Sequence, residues 1–192
     1  MSEFTYHIRL ADLGDIAALP AIERAAAQRF VDVGYIDLAE GPVTDLSTLI
    51  AAQREERLWV VVARAAGTKP AARRAWAQGE DPEEIPVGFA LVIHVDEAPH
   101  IQEMDVLPDH GRRGLGRSIV RKVIEHCRAA GHEKLTLTTL KNVPWNGPFY
   151  NSLGFREIPL SRCGAELQAL FEKEIPPGVP AEDRVIMIQD LG

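Results

Sequence analysis

Three glycines and three arginines in the run Val106-Leu-Pro-Asp-His-Gly-Arg-Arg-Gly-Leu-Gly-Arg-Ser118 make this stretch suited to holding a pyrophosphate. Gly111, Gly114 and Gly116 permit positive φ and close backbone approach, so successive amides at a helix start can converge on an anion. Arg112, Arg113 and Arg117 add positive charge around them. Upstream, His100 to Leu107 is rich in apolar and β-tolerant residues, and Pro108 removes a ladder donor and stops the strand. Downstream, Leu115, Ile119, Val123 and Cys127 recur at every fourth position, joined by Val120 and Ile124, which predicts an amphipathic helix closed near Gly131. A Walker loop needs Lys-Ser or Lys-Thr after its last glycine, where this chain has Arg117-Ser118, and the Rossmann spacing is not met. Taken alone, such a turn also reads as a helix entry with a solvated basic face.

A second constellation follows. Leu135-Thr-Leu-Thr-Thr-Leu140 alternates as a strand, and after it comes Pro144-Trp-Asn-Gly-Pro-Phe-Tyr150-Asn-Ser-Leu-Gly-Phe155. Arg113-Gly-Leu-Gly116 before a helix, and a short helix carrying a Tyr and ending in Leu-Gly-Phe, together resemble motifs A and B of the GNAT N-acetyltransferase superfamily. The match is incomplete at Gly111, where motif A carries Gln or Arg, which shifts phosphate binding from a side chain to backbone amides. The resemblance covers most of residues 5 to 190. It implies an α+β chain, with a central mixed, largely antiparallel sheet flanked by helices and splayed next to the motif A strand.

The same resemblance implies acetyl-coenzyme A as co-substrate and assigns roles. The pantetheine arm would run along Met104, Asp105 and Val106, and the pyrophosphate would sit at Arg112, Arg113, Gly114, Leu115, Gly116, Arg117 and Ser118. Tyr150 matches the tyrosine that hydrogen-bonds the thiol of the leaving group. Glu103, five residues before Pro108, stands where relatives place a carboxylate that acts as a base or orders a water. An ordinary Glu near pKa 4.3 is a poor base for an amine near about 10.4, so a raised pKa or a water relay is required. Asp105 shares the Glu103 face by period-two alternation and could meet the acceptor's ammonium. The family's coenzyme-binding Asn commonly lies seven residues before the tyrosine, at Val143 here; Asn146 takes over that role or caps the helix. Phe30, Tyr35 and Trp145 line the acceptor pocket or pack as core.

The remaining sequence sets these residues in place. Tyr6 to Leu10 reads as a first strand, and Asp12 or Asp15 opens a helix carrying Ile16, Leu19, Ile22 and Ala26. Phe30 to Val43 reads as loop, and Asp45 or Ser47 opens a second helix through about Arg57. Leu58 to Ala63 is a continuous apolar run, as in a central strand. Residues 65–85, rich in Ala, Gly, Pro and charge, read as a long exposed hairpin loop. Val87 to His94 pairs through a turn at Asp96 with the motif A strand. After motif B come a strand from Gly154, a helix from Ala165 to Lys173, and a closing strand from Asp183 to Gln189.

With 192 residues and 46% hydrophobic content, residues 1–192 are expected to form one domain. The net charge of −7 argues against broad nucleic-acid or anionic-membrane binding. No apolar run approaches about 18 residues, and the start at Met1-Ser-Glu-Phe lacks a secretion signal, so the expected location is cytoplasmic. Cys127 lies on the apolar helix stripe and Cys163 in a polar segment, giving neither a disulfide framework nor a zinc pattern. His94, Asp96, Glu97 and His100 match no zinc spacing, and no metal is expected. Of the remaining histidines, His110 alone lies beside the glycine turn. Oligomerisation has no signal in the sequence, and a homodimer stays open. The function these features lead to is acetyl transfer to a primary amine of a small molecule, by direct attack in a ternary complex. A protein N-terminus or lysine is the alternative acceptor, and a non-catalytic acyl-coenzyme A-binding or regulatory domain the alternative function.

Overall fold

The structure is a computed structural model that describes residues 4–65, 84–175 and 179–192. Seven strands carry the fold: β1 (Phe4–Leu10), β2 (Leu58–Ala65), β3 (Glu84–Val95), β4 (Ala98–Val106), β5 (Lys134–Leu140), β6 (Arg156–Ile158) and β7 (Arg184–Asp190). The helices are α1 (Leu19–Ala27), α2 (Ile36–Glu40), α3 (Leu46–Arg54), α4 (Leu115–Ala129), α5 (Gly147–Asn151) and α6 (Ala165–Lys173). In the sheet the strand order is β1-β2-β3-β4-β5-β7-β6. The β4–β5 pair is parallel, whereas β1–β2, β2–β3, β5–β7 and β6–β7 are antiparallel, so the sheet is mixed and largely antiparallel as expected.

By backbone contacts the chain divides into two compact units. The first comprises residues 1–26, 43–91 and 103–120. Its core joins Ile16, Leu19 and Ile22 from the α1 region and Leu49 of α3 to Leu58, Val60, Val62, Phe89 and Leu91 of the sheet. β2 is buried on both faces along nearly its whole length, as its apolar run requires. Each fully buried Leu or Phe in this cluster contributes about 1.5–3 kcal/mol. Helix entry is fixed by charge: Arg9 donates twice to Asp15, at 2.6 and 3.0 Å, and the Asp15 carboxylate accepts from the Asp12 amide at 2.7 Å. Asp45 caps α3 by accepting from the Thr48 amide at 2.9 Å.

The second unit comprises residues 27–42, 92–102 and 121–192. Here β5 pairs along its full length with β7, from Lys134↔Asp190 to Leu140↔Arg184. The β4–β5 ladder is much shorter, registering at His100↔Thr136 and Ile101↔Leu137. Along β4 the burial changes at the same place: Ala98 to Ile101 are buried, and Gln102 to Val106 are half-buried. The β3–β4 turn puts Asp96 and Glu97 in the left-handed region, at φ +50° and +60°. Asp96 then accepts from the Glu166 and Leu167 amides at the start of α6, at 3.1 and 3.2 Å, and Glu166 accepts from the Asp96 amide at 2.6 Å. That reciprocal cap leaves no room for a side chain at Gly164, where a Cβ would lie 2.2 Å from the Asp96 carboxylate.

Two expectations are modified. The segment from Phe30 to Val43, read as loop, contains a 3₁₀ turn (Gln28–Val33) and the short helix α2. Gly34, at φ +89°, ends the first and allows the second to begin in a new direction. The hairpin loop expected at 65–85 lies, for residues 66–83, outside the described residues; β2 extends to Ala65 and β3 starts at Glu84. Among the described residues no helix is long and apolar enough to cross a membrane.

His100 is fully buried in the second unit, with Nδ1 2.9 Å from Thr136 Oγ1. Burial, reinforced by the Arg184 charge, pushes its pKa down to about 4. The unfolded chain holds that proton up to about pH 6.5, so between those values unfolding takes up a proton and stability falls as the pH falls. The expected loss is roughly 3 kcal/mol on acidification from about pH 7 to about pH 4. Urea unfolding across that range should show this slope in the native chain and a shallower one in His100→Asn, which lacks the titrating ring.

Candidate active site

In the first unit the glycine-arginine turn is built by two left-handed residues, Arg112 at φ +56° and Gly114 at φ +78°. Gly111 has φ −65° and Gly116 is helical, so of the three glycines one uses the freedom expected of all. Gly111 instead closes the 3₁₀ turn Pro108–His110 that follows the strand: its amide donates to the Pro108 carbonyl at 2.9 Å. The first helical bond of α4 runs from the Ser118 amide to the Gly114 carbonyl at 3.0 Å. The amides of Leu115 and Gly116 precede it and have no acceptor within the helix, which leaves them directed out of the helix end. Arg112 and Arg113 are exposed and Arg117 half-buried, while Leu115, Ile119, Val120, Val123, Ile124 and Cys127 are buried as the periodicity demands. The turn thus combines amides, a helix dipole and cations, which is what a phosphate requires.

His110 is held beside the turn by the Tyr6 hydroxyl, 3.0 Å from Nδ1, with the Phe4 ring edge-on at 5.2 Å. Burial and the Arg113 charge lower its pKa, so it adds no positive charge to the turn at neutral pH.

On β4, Met104, Asp105 and Val106 continue as strand toward this turn. The Leu107 amide bonds the Val87 carbonyl at 2.8 Å, and β3 approaches so closely that a Cβ at Gly88 would lie 2.6 Å from the Asp105 carbonyl oxygen. Asp105 is held well above the usual carboxylate range, first by burial and then by the charges of Glu103 and Glu23 and a hydrogen bond shared with Glu103. Its Oδ2 is buried with no hydrogen-bond partner. Two hydrogen-bonded carboxyls need a proton between them, so Glu103 and Asp105 titrate as a pair. Glu23 of α1 is raised too, by burial, although both its oxygens accept from the Thr44 amide at 3.1 and 3.0 Å. Sequence reasoning missed Glu23; its only signal is a carboxylate beside Ile22 on the buried stripe of α1.

In the second unit, motif B folds around Tyr150. Its carbonyl accepts from the Leu153 and Phe155 amides at 2.9 and 3.2 Å, and Gly154 supplies the φ of +96° that lets the chain turn back. Phe155 then packs edge-on against the Tyr150 ring at 5.7 Å, and Phe149 at 5.0 Å. Leu-Gly-Phe after the tyrosine is therefore a device that fixes the ring. Gly147 has an equally tight reason, since a Cβ there would sit 2.2 Å from the Lys141 carbonyl oxygen. Asn146 precedes α5, yet its side chain does not cap the helix; Nδ2 donates to Thr139 Oγ1 at 2.7 Å and Oδ1 is buried with no hydrogen-bond partner. Val143, at the family's Asn position, is buried in an apolar cluster.

That cluster brings together the three aromatics singled out in the sequence. Phe30, Tyr35 and Trp145 are partly buried against Leu140, Val143 and Val179, with Phe30 and Trp145 rings 6.1 Å apart. The Arg29 guanidinium lies over the Trp145 ring at 4.2 Å, and the Tyr35 hydroxyl donates to Asp183 at 3.1 Å. Among the described residues no group of His, Cys, Asp or Glu could hold a metal ion. The Cys127 thiol is pushed up to about 11 by burial and is inert.

The model of the acetyltransferase (GNAT) family matches residues 43–155, more than half of the chain. The chain belongs to this family. Solved structures agree with the fold. A GNAT-family acetyltransferase of Staphylococcus aureus is 15% identical, with a TM-score of 0.64, covering 98% of this chain and 100% of that one. The PaiA N-acetyltransferase of Thermoplasma acidophilum, solved with coenzyme A, is 13% identical with a TM-score of 0.62, covering 97% and 99%. N-acetylglutamate synthase of Neisseria gonorrhoeae, complexed with coenzyme A and N-acetyl-glutamate, is 16% identical with a TM-score of 0.63; this chain spans 98% of itself but 35% of that protein. As a GNAT acetyltransferase the chain takes acetyl-coenzyme A as its co-substrate.

In this acetyltransferase the carboxyl pair on β4 is costly to the fold. A carboxyl whose folded pKa is raised favours folding as the pH falls through that value and opposes it above. Asp105→Asn removes the titrating carboxyl while keeping the shape, so unfolding at about pH 8 should show a gain in stability that vanishes near pH 4. A loss of stability at pH 8 would show that Asp105 is ionised and compensated there.

Proposed function

We propose that this chain transfers an acetyl group from acetyl-coenzyme A to a primary amine of a small molecule, by direct attack in a ternary complex. The observation that supports it most is the glycine-arginine turn, in which Arg112 and Gly114 adopt left-handed backbone ahead of a helix whose first amides face outward. Arg112, Arg113, Gly114, Leu115, Gly116, Arg117 and Ser118 hold the pyrophosphate, with backbone amides dominant and arginines as charge support. The strand edge of Met104, Asp105 and Val106 takes the pantetheine amides, and the Asn146 side chain adds a polar contact to the coenzyme.

Attack requires a neutral amine, and the carboxyl pair of Glu103 and Asp105 is the group that receives its proton, directly or through a water. Burial and the neighbouring carboxylates raise Asp105 well above the usual carboxylate range, which narrows the gap to an amine near about 10.4. Glu23, Glu103 and Asp105 also draw a cation by charge. These groups are half-buried, which suits a compact ammonium better than a folded protein surface. Phe30, Tyr35 and Trp145 shape the acceptor side. When the tetrahedral intermediate collapses, the thiolate leaves and Tyr150 stabilises it. A phenol near pKa 10 giving its proton outright to a thiolate near 8.5 is uphill by about 2 kcal/mol, so Tyr150 acts by hydrogen bonding or concerted transfer.

Thiol release with acetyl-coenzyme A and a panel of small amines, peptides and proteins tests this. Turnover on small amines is expected; turnover on peptides alone would move the acceptor to a protein terminus or lysine. Coenzyme binding with no turnover on any acceptor would make this a binding domain. Tyr150→Phe should lower kcat about 10- to 100-fold with coenzyme affinity within about twofold. Equal kcat in the two proteins would remove Tyr150 from the chemistry.

A further inference from the structure

β4 stops pairing with β5 after Ile101↔Leu137, and the next residues on the His100–Thr136 face are Gln102 and Thr138. A single carboxylate lies between them. Glu174, at the C-terminal end of α6, accepts from the Gln102 amide on Oε1 and from the Thr138 hydroxyl on Oε2 at 2.7 Å. Arg184 of β7 donates to that same Oε2 at 3.0 Å and to Thr138 Oγ1 at 2.6 Å. Glu174 and Arg184 side chains are 17% and 11% exposed, so this is a largely desolvated charge pair rather than a surface one.

The chemistry of this arrangement is directional. A carboxylate offers acceptors only, so it joins two donors by standing between them and holds them at least its own width apart. Gln102 and Thr138 could otherwise bond to each other, since an amide and a hydroxyl each donate and accept. Glu174 excludes that bond while satisfying both groups, and Arg184 neutralises the charge that would otherwise make the position untenable. The burial of β4 changes from buried to half-buried at this residue.

We propose that Glu174 is a positioning residue that fixes β4 at Gln102, where its ladder with β5 ends, and so sets the direction in which the strand continues into Met104, Asp105 and Val106, the edge read above as taking the pantetheine arm. This rests on the acetyl-coenzyme A reading above and assigns a part of coenzyme binding to a residue on α6, distant in sequence from both motifs. Glu174 touches neither coenzyme nor acceptor in this role; it acts through Gln102 and Thr138.

The test uses the full chain and coenzyme A itself as the probe, titrated calorimetrically, with KM for acetyl-coenzyme A and kcat measured in parallel. Glu174→Ala should weaken coenzyme binding and raise that KM by about tenfold or more, the scale of losing a charge-assisted bond, with kcat within about threefold. Glu174→Gln retains an acceptor and should recover most of the affinity. Thr138→Val leaves the Glu174–Arg184 ion pair and removes the Thr138 bonds to both; it should weaken coenzyme binding by about fivefold, and it keeps the question answerable if Glu174→Ala does not fold. Affinity within twofold of the native chain in Thr138→Val and in a folded Glu174→Ala, with the melting temperature lowered, would make the bridge a structural tie and overturn the proposal. A native chain that binds no coenzyme A overturns the acetyltransferase reading itself, a different result from a native chain that binds it and variants that bind it equally well.

Discussion

β4 leaves β5 after two residue pairs, and the rest of the site follows from ending a ladder inside a protein. Buried polar groups beyond the end of a ladder must be satisfied by other partners. The residues of β4 reflect this: Ala98 to Ile101 are buried, whereas Gln102, Glu103 and Asp105 carry polar side chains into half-buried positions.

Charged side chains are paired in two ways. Arg9 with Asp15 and Arg184 with Glu174 are opposite-sign pairs with short, well-directed bonds. Glu103 and Asp105 are a like-sign pair made tolerable by a shared proton, with Glu23 raised nearby by its own burial. The first kind holds elements in place. The second opposes folding above the raised pKa of Asp105.

Much of this was legible in the sequence wherever a periodic pattern and a local reason coincided. The stripe of Leu115, Ile119, Val123 and Cys127 predicts α4, and it is buried. Ala165–Lys173 is the expected helix, and the continuous apolar run at Leu58 is a strand covered on both faces. Local conformation was less legible. The left-handed residue between Gly111 and Gly114 is Arg112, because a strained turn can be imposed by its neighbours on a residue that does not prefer it. The helix in the Phe30–Val43 region depends on Gly34 and on packing against Leu140 and Val143, neither of which has a periodic signature. Asn146 sits where a cap is expected, but Thr139 takes its side chain. Glu23 and Glu174 act through partners far away in sequence, Thr44 and Gln102, and no spacing rule connects them.

The cap shared between Asp96 and Glu166 spans a sequence separation of 70 residues. The start of α6 therefore has no local means of satisfying its first amides: Gly164 precedes it with no side chain to offer, and its first turn relies on a hairpin tip translated much earlier. The β3–β4 tip and the start of α6 each satisfy the other's amides. The first turn of α6 is thus completed by a hairpin tip 70 residues earlier, which makes that turn dependent on β3 and β4 being in place.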